Sequence, residues 1–116
     1  MKEVTIYHNP RCSKSRQTLE LLQQKNLSLT VVKYLETPPP HAELENILTM
    51  LGKEPRQVMR KNEKEYKENN MNKQSLSRND LIALMHEFPK VIQRPIVVCG
   101  NKAAIGRPPE SVLDIL

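Results

Sequence analysis

The sequence predicts an α/β fold built on a mixed sheet, and three observations carry that prediction. A β-prone run, an amphipathic helical stretch and a second β-branched run follow one another between Val4 and Tyr34. Apolar residues at helical spacing occupy the middle of the chain. Two short strand-like runs around a turn, followed by a proline-opened helix, complete it.

The composition sets the frame for these elements. A chain of 116 residues suits a single domain, 1–116, with one core. Hydrophobic residues at 38% and charged residues at 27% are ordinary for a globular protein and argue against disorder, while 3% aromatics leave the core to aliphatic side chains. No apolar run approaches the ~18 residues of a spanning helix, and the N-terminus carries no signal-type apolar stretch. A cytoplasmic protein without membrane contact is therefore expected. The formal charge of +5 favours anions, but lysines and arginines alternate with glutamates, so no basic run points to nucleic acid. Two cysteines in a reducing compartment are read as thiols, not as a disulfide staple.

Taken in order, Val4-Thr-Ile-Tyr7 is a strand ended by the turn-forming His8-Asn-Pro10. From Ser13 the pattern is helical, with Thr18, Leu19, Leu21 and Leu22 as its stripe and Lys25-Asn26 as a basic stop. This places Cys12 at a helix N-terminus. Leu29–Tyr34 is a second strand, reached by a right-handed parallel crossover. After Pro38-Pro-Pro40, Leu44, Ile47, Leu48 and Leu51 mark a helix closed by Gly52. Residues 55–70 are polar and suggest short surface helices with a mobile, Asn-rich end. Ser77-Arg-Asn-Asp80 has capping-box spacing before a helix through Leu81, Leu84, Met85 and Phe88, which Pro89 stops. Ile96–Cys99 and Ala103–Ile105 form a hairpin around Gly100-Asn-Lys102, and Pro108-Pro109 opens a short final helix. The order β-α-β, helices, β-β-α fits a thioredoxin-like mixed sheet with a helical insertion, about 40–90, between the second and third strands; other α/β sandwiches share this order.

Chemistry concentrates at Cys12. Arg11, Lys14 and Arg16 surround it, and the free N–H groups and dipole of a helix N-terminus favour an anion, conditions that lower a thiol pKa from ~8.5 toward ~3.5–7.5. Cys99, inside Val-Val-Cys, is by contrast a small buried hydrophobe. Cys12-Ser-Lys-Ser15 has the frame of a Cys-x-x-Cys redox site with serine in the resolving position, so the second thiol must come from outside. A Cys-x5-Arg phosphatase loop would require arginine where Thr18 stands. Arg94-Pro95 precedes a strand, at the point where thioredoxin-like folds carry a cis proline facing the reactive cysteine, so Arg94 would approach Cys12. Arg107-Pro108 follows the hairpin, and Arg60 lies in the insertion. Each arginine alone is most simply a surface residue; three meeting one thiolate would bind a tetrahedral oxyanion through bidentate forks. His8, His41 and His86 lack metal-ligand spacing, so no metal is expected, though His8 is placed to tune the thiol.

Ile6-Tyr-His-Asn-Pro-Arg-Cys-Ser-Lys-Ser-Arg16, Tyr34-Leu-Glu-Thr-Pro-Pro39, Met59-Arg-Lys-Asn62, Arg94-Pro-Ile-Val-Val98 and Gly106-Arg-Pro-Pro-Glu110 together resemble the glutaredoxin-coupled arsenate reductases nearly end to end. The resemblance implies Cys12 as nucleophile and Arg60, Arg94 and Arg107 as ligands of arsenate or a similar oxyanion; His8 and Ser15, close to Cys12 in sequence, are candidate supporting residues. It implies no tightly bound cofactor, glutathione as co-substrate and glutaredoxin as partner. Asn69–Gln74 matches none of the family's motifs. Two alternatives share the fold: a general glutathione-dependent thiol oxidoreductase, and a redox-related regulator that binds RNA polymerase. Members of the latter branch typically carry Cys-x-x-Cys, where this chain has Ser15.

Overall fold

A computed structural model describes residues 1–116. They form two compact units, one of Met1–Thr37 with Arg94–Leu116 and the other of Pro38–Gln93. The second unit is the helical insertion between the second and third strands.

The first unit is a four-stranded sheet in the order β2-β1-β3-β4. Strand β1 (Lys2–His8) pairs in parallel with β2 (Leu27–Lys33), and helix α1 (Ser13–Gln23) makes the crossover that parallel pairing requires. Strand β3 (Ile96–Cys99) runs antiparallel to β1, and β4 (Lys102–Ile105) antiparallel to β3. This is the thioredoxin-like mixed sheet anticipated from the element order. Alternation along β1 puts Val4 and Ile6 into a core with Leu22 of α1, Val97 of β3 and Val112 of the C-terminal 3₁₀ helix (Pro109–Ile115). Each such buried aliphatic contributes about 1.5–3 kcal/mol relative to exposure.

Local features of this unit depart from the sequence reading, among them the end of α1 and the hairpin turn. Helix α1 ends at Gln23 and has no basic last turn, because the register pairing Lys2 with Leu27 draws the chain into β2 through a Leu27 N–H to Lys25 carbonyl bond. The hairpin turn is only Gly100-Asn101, since Lys102 already pairs with Cys99. Gly100 takes φ 62 at the first central position, where two-residue hairpins require positive φ.

In the second unit, α2 (His41–Leu51) buries Leu44, Ile47 and Leu48 and ends at Gly52 with φ 66. A 3₁₀ turn (Pro55–Val58), α3 (Lys64–Glu68), α4 (Arg78–Glu87) and a second 3₁₀ turn (Pro89–Val91) follow. Ser77 and Asp80 form the full capping box. The buried face of α4 is Leu81, Ile82 and Met85, with Leu84 and Phe88 only partly covered. In the polar stretch Val58, Met59 and Tyr66 are buried, and its Asn-rich end, anticipated as mobile, is followed by the buried Met71, whose carbonyl and that of Lys73 accept from the Arg56 guanidinium.

Candidate active site

Cys12 is the N-cap residue of α1, in extended conformation. Its N–H donates to the Asn9 carbonyl at 3.0 Å, and its carbonyl accepts the Arg16 N–H at 3.0 Å. The first turn of α1 contains no acidic residue, so nothing within it neutralises the helix's positive end. Partial burial pushes the Cys12 thiol up, but the backbone N–H groups of Ser15 and Lys14 and the charge and hydrogen bond of Arg94 outweigh it. The net effect holds the thiol below its ordinary range, which favours the thiolate.

The antiparallel pairing of β1 with β3 sets Ile96 opposite Tyr7, so the residues entering β3 arrive where β1 turns into the Cys12 loop. Arg94 reaches the thiol from there, and Arg107 Nη1 lies 4.0 Å from Cys12 Sγ and 3.5 Å from the Arg94 carbonyl oxygen. Both Arg94-Pro95 and Arg107-Pro108 are cis. Arg94 Nε is buried with no hydrogen-bond partner. The loop carrying Arg107 comes this close because Gly106 lacks a side chain: a Cβ there would sit 2.5 Å from Thr18 Oγ1 and 2.8 Å from Pro95 Cγ. The Gly106 N–H donates to the Pro95 carbonyl at 2.9 Å, tying the two arginine-bearing loops together.

Ser15 is fully buried, and its hydroxyl lies 2.6 Å from His8 Nδ1 and accepts the Asn9 N–H at 3.0 Å. Burial, with the charges of Lys33 and Arg16, lowers the His8 pKa and keeps the imidazole neutral near neutrality. The serine thus does more than vacate a resolving position: it fastens the loop before Cys12 to the helix after it. Thr18, on the stripe its spacing predicts, is also buried: its hydroxyl donates to the Lys14 carbonyl at 2.8 Å and the side chain packs against Gly106. The signal was present in the sequence, because Ser15, Thr18 and Leu22 fall at i, i+3 and i+7 and form the buried face of α1.

The first unit therefore brings together Cys12, Arg94, Arg107, Ser15 and His8. Arg60 belongs to the second unit, where its guanidinium bonds Glu63 Oε1 at 2.6 Å and the Lys90 carbonyl at 3.3 Å. Cys99 packs at the edge of the sheet core, and both cysteines are free thiols. No three His, Cys, Asp or Glu side chains gather in a metal-binding group, and His86 Nδ1 is engaged 2.8 Å from the Pro39 carbonyl oxygen. No helix is long and apolar enough to cross a membrane.

A depressed thiol at a helix N-terminus of a thioredoxin-like sheet, with two guanidinium groups beside it, defines a thiol protein able to hold an oxyanion. The ArsC family model matches residues 7–115, and the chain belongs to the ArsC family. It is 53% identical over 116 residues to the uncharacterized protein YfgD of Escherichia coli (strain K12), covering 99% of this chain and 98% of that one. It is 46% identical over 114 residues to the arsenate reductase of Haemophilus influenzae, covering 97% and 98%. Among solved structures, the arsenate reductase from Vibrio cholerae superposes with a TM-score of 0.95 at 52% identity, covering 99% and 98%.

Proposed function

We propose that this chain reduces arsenate to arsenite in the cytoplasm, with glutathione as co-substrate and glutaredoxin as the final reductant. The observation that carries the reading is the depressed Cys12 thiol with Arg94 and Arg107 directly against it. Family membership and similarity to arsenate reductases at 40–46% identity support the choice of arsenate among oxyanions.

The Cys12 thiolate attacks arsenic(V), an S–As bond forms and one arsenate oxygen leaves as water. Glutathione displaces a second oxygen as water and forms its own S–As bond. A glutaredoxin thiol then attacks the glutathione sulfur; the pair of that S–As bond returns to arsenic, which becomes arsenic(III), and a mixed glutathione–glutaredoxin disulfide leaves. Water frees arsenite from Cys12. The two electrons come from the two external thiols, as required by a site with serine at position 15. Arg94 and Arg107 hold the oxyanion and stabilise the charge on its oxygens, and Arg60 is the third ligand by its family motif.

Arsenate-dependent NADPH oxidation, coupled through glutathione, glutaredoxin and glutathione reductase, tests the reading beside Cys12→Ser. Activity in the parent chain and none in the variant is expected. A parent chain that reduces a glutathione mixed disulfide but not arsenate refutes it in favour of a general thiol oxidoreductase.

A further inference from the structure

A groove of about 320 Å³ opens beside the Cys12 loop, lined by His8, Asn9, Pro10, Arg11, Lys33, Leu35 and Glu36. This volume lies at the lower end of the ~300–1,000 Å³ typical of small-molecule sites. One wall is the four residues that run directly into Cys12, and the Asn9 carbonyl of that wall accepts the Cys12 N–H at 3.0 Å. The other wall is the exit of β2. A ligand lying in the groove therefore touches the segment that presents the thiol.

The charged side chains lining this groove form no ion pair within the chain. Lys33 and Glu36 stand on one turn, joined by the Glu36 N–H to Lys33 carbonyl bond at 3.0 Å, yet their side chains form no ion pair with each other or with any neighbour. Arg11 is engaged only through its backbone N–H, which donates to Asn9 Oδ1, whereas the Arg16 guanidinium nearby is committed to the Pro10 carbonyl. The lining thus offers two cations and one anion, all exposed and all without a salt-bridge partner, next to the partly apolar edge of Leu35 and Pro10.

We infer that this groove binds the small-molecule thiol co-substrate, a zwitterionic tripeptide of the glutathione type, with its two carboxylates toward Lys33 and Arg11 and its ammonium toward Glu36. Two carboxylates and one ammonium are the complement of two cations and one anion, and an uncharged or monovalent thiol has no use for three such groups. The inference rests on the proposed use of glutathione and names where it sits. It separates the co-substrate from the oxyanion, since Arg94 and Arg107 meet Cys12 from the β3 and β4 loops and do not line this groove.

Titration with S-methylglutathione, which keeps the charges but has no thiol, tests binding without any turnover. Saturable amide shifts in an NMR titration are expected at Asn9, Arg11, Lys33, Leu35 and Glu36, and 2-mercaptoethanol should produce none there. In the coupled assay, Lys33→Glu should raise the KM for glutathione roughly five- to tenfold, the scale of turning one surface attraction into a repulsion, with a much smaller change in the KM for arsenate. Lys33→Arg should restore it. Shifts that map outside the groove, or a glutathione KM unmoved by Lys33→Glu, overturn the inference. Binding in the groove by a chain that fails to reduce arsenate overturns only the proposed reaction.

Discussion

Replacing Ser15 by alanine removes a hydroxyl that is 0% exposed and serves two partners. His8, 2.6 Å away through Nδ1, is 5% exposed, so leaving that nitrogen without its partner costs about 1–3 kcal/mol. The Asn9 N–H, 3.0 Å away, is only partly buried, and water recovers part of its loss, adding about 1 kcal/mol. The sum, about 2–4 kcal/mol, is a large share of the ~5–15 kcal/mol that stabilises a domain and corresponds to a fall in Tm of roughly 10 °C. Urea denaturation read by circular dichroism measures it, with Ser13→Ala as the control. Ser13 is exposed at the start of the same helix and should change stability by no more than about 0.5 kcal/mol. The variant should also react more slowly at Cys12, because Asn9 supplies the carbonyl that fixes the Cys12 N–H. A loss below about 1 kcal/mol, or one equal to that of Ser13→Ala, refutes the claim that Ser15 fastens the loop to the helix.

Two further outcomes follow from the same geometry. Arg94→Ala should weaken sulfate or arsenate binding by about 1.5–3 kcal/mol, the range for hydrogen bonds to charged groups, while the more exposed Arg107→Ala should cost about 1 kcal/mol; isothermal titration resolves the two. The rate of Cys12 alkylation by iodoacetamide should rise with pH through a midpoint below the ~8.5 of a free thiol, and Arg94→Ala should move that midpoint upward because it removes a charge and a hydrogen bond that favour the thiolate. The sign also fixes a stability effect: an acid whose folded pKa is depressed adds stability above its unfolded pKa and loses it as the pH falls through the folded value. An unshifted alkylation midpoint in the parent chain would contradict the arrangement around Cys12.

Much of the fold was legible because its signals are local. Turn residues bound β1, β-branched residues mark β2, apolar spacing marks α2, and Ser77 with Asp80 announces α4. Boundaries and buried faces failed where long-range pairing overrode local preference. The β1–β2 register shortened α1, and Met71, in a stretch that looks polar and loose, is fully buried and held by Arg56. Ser15 went unrecognised as buried because a hydroxyl side chain on a helix is ordinarily expected in water, although its spacing with Thr18 and Leu22 marks the three as one face.

Cys12 at a helix N-terminus, flanked by basic residues and without a second cysteine at position 15, is a property of the sequence by itself, since capping and turn chemistry act over a few residues. That Arg94 and Arg107 meet this thiol was decided by tertiary structure. They lie 82 and 95 positions along the chain from Cys12, and no local propensity spans that distance. The antiparallel pairing of β3 with β1, and the missing Cβ of Gly106 against Thr18 and Pro95, are what bring them there. The unpaired charges of Arg11, Lys33 and Glu36 around one groove likewise depend on the parallel pairing of β1 with β2, which sets the ends of those two strands side by side.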